Sequence, residues 1–353
     1  MRYLTGFALA QGEETAAGHS GQFLIDANEV VLLADSRYTI QARREAPGVR
    51  IAGAYNDLPQ RWPELLASIG ARRIAIEAGF VSQALWARLA AAAPEAELVP
   101  IEGWLEADRA IKEPAELERI AAACAMADRA LATLLPEIHP GATESELALR
   151  LEWLVRTGGA EALAFDVACL SGPQAALPHG SPGARPVLDR AVLLFDFGAQ
   201  VAGYRSDMTR TLFVDEPSDR DLQIYRLVSE AQETAIGMLS SAVETSSAPT
   251  PGEFPSGRAI DAAARALIGA AGHGEHFGHG LGHGIGLATH ERPSLGRLAP
   301  EAALPSPTVF SIEPGVYLDG EMGVRIEDLI ALDAAAGRVE RLTRFPRDVI
   351  VVG

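Results

Sequence analysis

The chain has 353 residues, of which 48% are apolar and 22% charged, the balance of a soluble globular protein with room for two domains. Its formal net charge is −17, from 47 acids against 30 bases, and Lys and Arg form no run, which excludes a nucleic-acid partner held by phosphate neutralisation. The two cysteines, Cys124 and Cys169, lie in apolar surroundings, and the opening "MRYLTGFALAQGEETAAG" lacks the apolar stretch of a signal peptide, so the expectation is a cytoplasmic protein without disulfides or membrane spans.

In chain order, "GQFLIDANEVVLLAD" predicts two strands joined by a turn at Asp26–Asn28. "RRIAIEAG" predicts a buried strand, "SQALWARLAAAA" an amphipathic helix capped by Ser82 and closed by Pro94, and "ELVPIEG" a further strand that completes an α/β unit. The pattern changes near residues 107–117, "ADRAIKEPAEL", where a domain boundary is expected. Pro114 opens a helix carrying Leu117, Ile120, Ala121, Cys124, Ala127 and Leu131 at helical spacing, and Thr143 with Glu146 forms the capping box of the next. Beyond residue 190 come the strong strand runs "AVLLFDFGAQ", "SDMTRTLFV", "PTVFSIEPGVYL", "GVRIEDLIAL" and "FPRDVIVV", with helices expected at about 219–239 and 256–271. Between those helices "SSAVETSSAPTPGEFPSG" reads as an exposed loop.

Four acids sit inside these apolar runs, where an uncompensated charge is costly. Asp196 and Asp207 flank a turn near Gly198–Gly203, and Glu313 and Glu327 flank the turn "DGEMG", so each pair reads as acids on two arms of a hairpin. One such acid is ordinarily solvated or paired with an arginine. Four in one pocket would repel each other and take up protons unless cations neutralised them, and two divalent ions supply the matching charge.

The segment "HFGHGLGHGIGLATHERP", residues 276–293, holds half of the eight histidines. Its glycines at 278, 280, 282, 284 and 286 oppose a helix and clear one face of an extended chain for close approach of another backbone. It contains no HExxH, and no strand–loop–helix with a following lysine, which removes the zincin and phosphate-loop readings. One or more imidazoles completing the metal site is the reading that remains.

"LLFDFG", "SDMTRT", "GHGLGHGIGLATHERP", "SIEPG" and "VRIED", in this order, resemble the pita-bread dinuclear metallopeptidases, and within them the proline-specific branch of Xaa-Pro dipeptidases (prolidases) and Xaa-Pro aminopeptidases. "LLADSRYTIQAR" resembles the creatinase-type N-terminal domain that accompanies this branch. The resemblance covers nearly the whole chain. It implies an α/β (α+β) fold with a creatinase-like α/β domain at 1–108 and a pita-bread catalytic domain at 109–353, and a homodimer in which the N-terminal domain caps the partner's cleft.

Residue by residue, the resemblance implies five metal ligands. Asp196 would bind one metal through both oxygens, Asp207 and Glu327 would bridge the pair, and His283 and Glu313 would complete the other. One nitrogen among oxygens favours manganese or cobalt, with zinc as the third candidate. A water shared by the two cations would be ionised near neutral pH and attack the carbonyl before proline, with Glu313 carrying the proton to the leaving nitrogen. His290 and His179 would hydrogen-bond the carbonyl or tetrahedral intermediate, and His279 would wall the proline side. His273 and His276 are read as structural. Arg325 would orient a metal-site carboxylate or meet the substrate carboxylate.

The expected activity is therefore Xaa-Pro dipeptide hydrolysis, with an Xaa-Pro aminopeptidase acting on longer peptides as the alternative. Many prolidases carry an arginine just after the HExP proline, where this chain has Ser294, with Arg292 and Arg297 nearby. A methionine aminopeptidase usually lacks such an N-terminal domain, and a creatinase lacks the metal carboxylates. A non-catalytic binding protein on the same scaffold is the third class considered.

Overall fold

A computed structural model of the chain describes residues 2–9, 21–54, 57–245 and 254–353. The chain divides into two compact units, Met1–Leu105 and Glu106–Gly353. Part of the N-terminal stretch read for targeting signals, and residues 246–253 of the expected loop, lie outside the described residues.

In the first unit the strand Val30–Ala34 lies between Gln22–Ile25, antiparallel, and Arg50–Gly53, parallel. It is buried on both faces by simple alternation. Val31 and Leu33 join Trp62, Leu65 and Ile74 in one apolar cluster, while Leu32 and Ala34 join Phe7, Tyr38 and Ala42 in the other. Arg73–Glu77 and Glu97–Ile101 form a parallel pair connected through the helix Gln83–Ala92, whose Ser82 side chain accepts from the Leu85 N–H at 3.2 Å.

The second unit opens with the helix Pro114–Leu134, followed by Glu144–Thr157, whose Thr143 and Glu146 form the expected reciprocal cap. Its two larger sheets carry most of the remaining strands. One has the order Val351–Val352, Met208–Val214, Val192–Phe197, Ala168–Ser171, and the other Glu291–Leu295, Gly282–Gly284, Thr308–Ile312, Asp328–Asp333, Arg338–Arg341. Strand Val192–Phe197 alternates as the first unit's central strand does: Leu193, Phe195 and Phe197 pack with the two opening helices, Val192 and Leu194 with Asp219–Thr245 and Gly257–Ala270. Asp196 falls on the second of these faces, at the end of the strand.

Three expectations about the elements need correction. The acid-bearing runs are not continuous strands, because "PTVFSIEPGVYL" breaks after Ile312 and "GVRIEDLIAL" after Arg325. Asp207, Glu313 and Glu327 thus stand at breaks beside strand ends, and only Asp196 lies within a strand. "FPRDVIVV" is extended into a sheet only at Val351–Val352, since Pro346 has no N–H and the Phe345 and Pro346 carbonyls accept from Arg210 instead. The helix expected to end near 239 runs to Thr245, with Val243 continuing its apolar stripe into the core. Among the described residues no helix is long and apolar enough to cross a membrane.

Candidate metal centre

The two acid pairs are built alike. In the first, Val192–Phe197 pairs antiparallel with Met208–Val214, and the chain between them makes a small hairpin, Ala199–Val201 with Tyr204–Arg205. Its two turn residues, Ala202 and Gly203, take φ of 48° and 85°, the left-handed pair that a two-residue hairpin turn requires. In the second, Thr308–Ile312 pairs with Asp328–Asp333 and the intervening hairpin is Gly315–Leu318 with Met322–Arg325. The register pairs Asp196 with Thr209 and Ile312 with Asp328, leaving Asp207 beside the first pair's end and Glu313 and Glu327 together beyond the second's.

His283 arrives on the short strand Gly282–Gly284, between Glu291–Leu295 and Thr308–Ile312. The glycines behave as their spacing predicts. A Cβ at Gly282 would collide with the Ser311 carbonyl, and one at Gly284 with the Arg292 carbonyl, whereas Gly278 has nothing near it. The His283 Nδ1–H faces the Gly284 carbonyl at 3.1 Å, so the lone pair sits on Nε2, which lies 3.3 Å from Glu313 Oε1 and 3.7 Å from Asp207 Oδ2. Burial lowers the proton affinity of this imidazole, so a neutral nitrogen lone pair faces two carboxylates. That arrangement is repulsive unless a proton or a metal cation lies between them.

Asp207, His283 and Glu327 present ligand atoms all within 4.8 Å of one another. Asp196 Oδ1, Asp207 Oδ1 and Glu327 Oε1 are buried oxygens without a hydrogen bond. Burial first, and Glu327 next, push the Asp207 carboxyl well above the ordinary carboxylate range; burial and then Glu313 do the same to Glu327. Burial raises Glu313 to about 7, with Arg325 opposing and Asp196 reinforcing it. Orphaned oxygens, repelling acids and one aligned nitrogen together fit a site for divalent cations.

Arg325, 3% exposed, is the hub behind these groups. It donates from Nη2 to Asp196 Oδ2 at 2.6 Å, from Nε to Thr209 Oγ1 at 2.9 Å and from Nη1 to the Tyr317 hydroxyl at 2.9 Å, while Thr209 Oγ1 donates to Glu327 Oε2 at 2.7 Å. Arg325 thus contacts the Asp196 carboxylate directly and Glu327 through Thr209. The Tyr317 hydroxyl also lies 2.8 Å from His279 Nε2, and burial holds the His279 ring down to about 4. His290 is exposed and stacks on His283 with ring centroids 4.0 Å apart; partial burial, then His283 and His179, hold it near 4. His179 is exposed beside Pro178, whose carbonyl accepts weakly from Arg325 at 3.4 Å. His273 and His276 face each other, Nδ1 to Nδ1 at 3.2 Å, with no role among the acids.

Sequence reasoning passed over Thr209, Ser311 and Tyr317. Thr209 and Ser311 each lie two residues from an expected ligand, and that period-2 offset was the available signal. Ser311 Oγ donates to Glu313 Oε1 at 3.1 Å and accepts from the His283 N–H at 3.1 Å. Tyr317 carried no comparable signal, since its contact with His279 spans 38 residues of sequence.

The model of metallopeptidase family M24 matches residues 118–334, and that of the creatinase/prolidase N-terminal domain matches residues 1–111. An uncharacterized peptidase of Bacillus subtilis is 33% identical over 352 residues, 100% of this chain and 93% of the relative. Among solved structures, the X-Pro aminopeptidase of Thermotoga maritima superposes with a TM-score of 0.85 at 34% identity, covering 99% of this chain and 93% of its own. The Xaa-Pro dipeptidase of Bacillus anthracis does so with a TM-score of 0.87 at 32% identity, covering 99% and 92%.

Proposed function

The chain belongs to metallopeptidase family M24, and on that premise we propose that it is an Xaa-Pro dipeptidase whose centre holds two divalent cations. The observation that carries this reading is the clustering of Asp207, His283 and Glu327, with Glu313 Oε1 3.3 Å from His283 and with buried, unbonded oxygens on Asp196, Asp207 and Glu327. Asp196 would hold one cation, Asp207 and Glu327 would serve both, and His283 and Glu313 would complete the other, and manganese or cobalt suits such an oxygen-rich set better than zinc. When bound, the cations supply a nucleophile at neutral pH and polarise the scissile carbonyl.

The chain's own groups do the rest. Ser311 holds Glu313 Oε1, which leaves the other oxygen to take a proton from the attacking water and pass it to the proline nitrogen. His290 and His179, both open to solvent, donate to the carbonyl oxygen as it becomes an oxyanion, and a neutral His290 keeps an N–H for this at working pH. His279, edge-on to Phe277 at 5.1 Å, forms a wall of the proline side. Arg325 fixes Asp196 and, through Thr209, Glu327. The chain works as a cytoplasmic homodimer, which light scattering after size exclusion tests.

A panel of Xaa-Pro dipeptides and Xaa-Pro-Xaa tripeptides, assayed with manganese, cobalt or zinc, separates the activities. Dipeptide hydrolysis that depends on added metal is the expected result. Cleavage confined to the tripeptides would replace it with the aminopeptidase, the activity named for the Thermotoga neighbour. No cleavage with any metal would leave only a binding protein.

A further inference from the structure

His290 is placed in the reaction, yet its imidazole has no hydrogen bond from the described residues; the ring stacks on His283 instead. Its two chain neighbours are tied down instead. On one side the Thr289 hydroxyl accepts from Arg205 Nη1 at 2.9 Å, and Arg205 donates from the same nitrogen to the Ala164 carbonyl at 2.8 Å and from its backbone N–H to the Gly286 carbonyl at 2.9 Å. On the other, Glu291, whose side chain is 4% exposed, accepts from Lys112 Nζ at 2.8 Å and pairs with Arg109. Lys112 is itself 1% exposed, with Nζ donating to the Arg109 carbonyl at 2.6 Å and its N–H to the Pro307 carbonyl at 2.8 Å. Gly286 makes room for this carboxylate, since a Cβ there would strike Glu291 Oε1.

A buried lysine is costly to desolvate, and an ion pair of this kind seldom stabilises a fold more than apolar side chains would. Here it joins residue 112, just before the helix Pro114–Leu134, to the residue after a histidine that faces solvent. We infer that Glu291, with Lys112 and Arg109, and Arg205 through Thr289, are positioning residues that clamp the backbone on both sides of His290 and so aim its ring with both nitrogens left free for substrate. The inference rests on the reading of His290 given above. Direct hydrogen bonding would fix the ring at the expense of one of those nitrogens; a clamp on the flanking residues avoids that.

The test compares Glu291→Gln, the double variant K112M/E291L, and Thr289→Val in the metal-loaded enzyme, following kcat, KM, bound metal and the ¹⁵N-histidine NMR signals of the rings. The clamp requires kcat to fall about tenfold or more in the first two and severalfold in the third, with bound metal unchanged, and the His290 ring signals to move. A merely structural pair gives a lower unfolding temperature with kcat within twofold of the parent and the ring signals in place, and that result overturns the inference. Should Glu291→Gln fail to fold because Lys112 is left unpaired, the double variant, which removes both charges, and Thr289→Val decide it. If the parent enzyme cleaves no Xaa-Pro peptide, the functional reading fails on that result, and the ring signals alone decide whether the clamp stands.

Discussion

Glu327 and Asp328 are adjacent in sequence and both buried, yet they belong to opposite kinds of charge cluster. Asp328 accepts from Arg210 at 2.7 Å, from the Thr343 hydroxyl and from Gln232 Nε2 at 3.1 Å. Arg210 in turn donates to the Pro346, Thr209, Glu327 and Phe345 carbonyls as well as to Asp328, which uses every N–H it has. On the Glu327 side the accounting fails: three carboxylate oxygens have no donor, and the acids press each other toward protonation. The saturated cluster cross-links the Thr209 and Glu327 backbones and the 345–346 segment. The unsaturated one lies beside it, short of partners. Polar groups left wanting on so firm a backing are what a cation site needs.

The contrast breaks most completely at Asp207→Asn or Glu327→Gln. Either should abolish metal retention and turnover while leaving the metal-free protein at least as stable as the parent, because a repelling charge is gone. Inductively coupled plasma analysis with thermal melts checks this; normal turnover in either variant would refute the ligand assignment. On the saturated side, Arg210→Met should lower stability by about 3–5 kcal/mol, since it leaves Asp328 buried without its main partner, as read from urea unfolding.

Acidity separates the clusters further. Glu313 is raised from 4.5 to about 7 and Asp207 and Glu327 are raised well above the usual range, so through these acids the folded metal-free protein binds more protons than the unfolded chain, whereas His279, His283 and His290, lowered from 6.5, bind fewer below that pH. Its stability should therefore fall as pH rises from 6.5, where those histidines are neutral in both states, at up to about 1.4 kcal/mol per pH unit for each proton. Metal-loaded protein should show the opposite slope, because binding requires the carboxylates ionised. Unfolding in chelator and in manganese across pH 6.5–8 checks both signs, and parallel curves would count against the site. The smallest effects form a matched pair. Thr209→Val should weaken metal affinity or turnover by roughly ten- to a hundredfold with little change in stability. Thr343→Val should cost about 1–2 kcal/mol of stability and leave turnover alone.

Much of this was legible beforehand, for identifiable reasons. Acids embedded in apolar runs announce a compensated site, and glycines at every second position of 278–286 announce a crowded strand, as Gly282 and Gly284 bear out. Ser82 and Thr143 are local signals that involve only neighbouring residues, and both cap as read. What escaped depends on distance along the chain. The saturation of Arg210 joins segments 117–136 residues apart, and the Lys112–Glu291 pair joins residues 179 apart. No periodicity encodes such contacts. The strand breaks at Glu313 and Glu327 were blurred because the apolar pattern runs on through them into the small hairpins.

Those hairpins divide the chain into parts that tolerate change differently. Lengthening a tip, at Ala202–Gly203 or Asp319–Gly320, only lengthens a finger. Adding one residue between a long strand and its acid reverses which way every following side chain points and turns the carboxylate away from the other acids. Among descendants of this gene, insertions should therefore collect at the fingertips, while the knuckles keep their residue count.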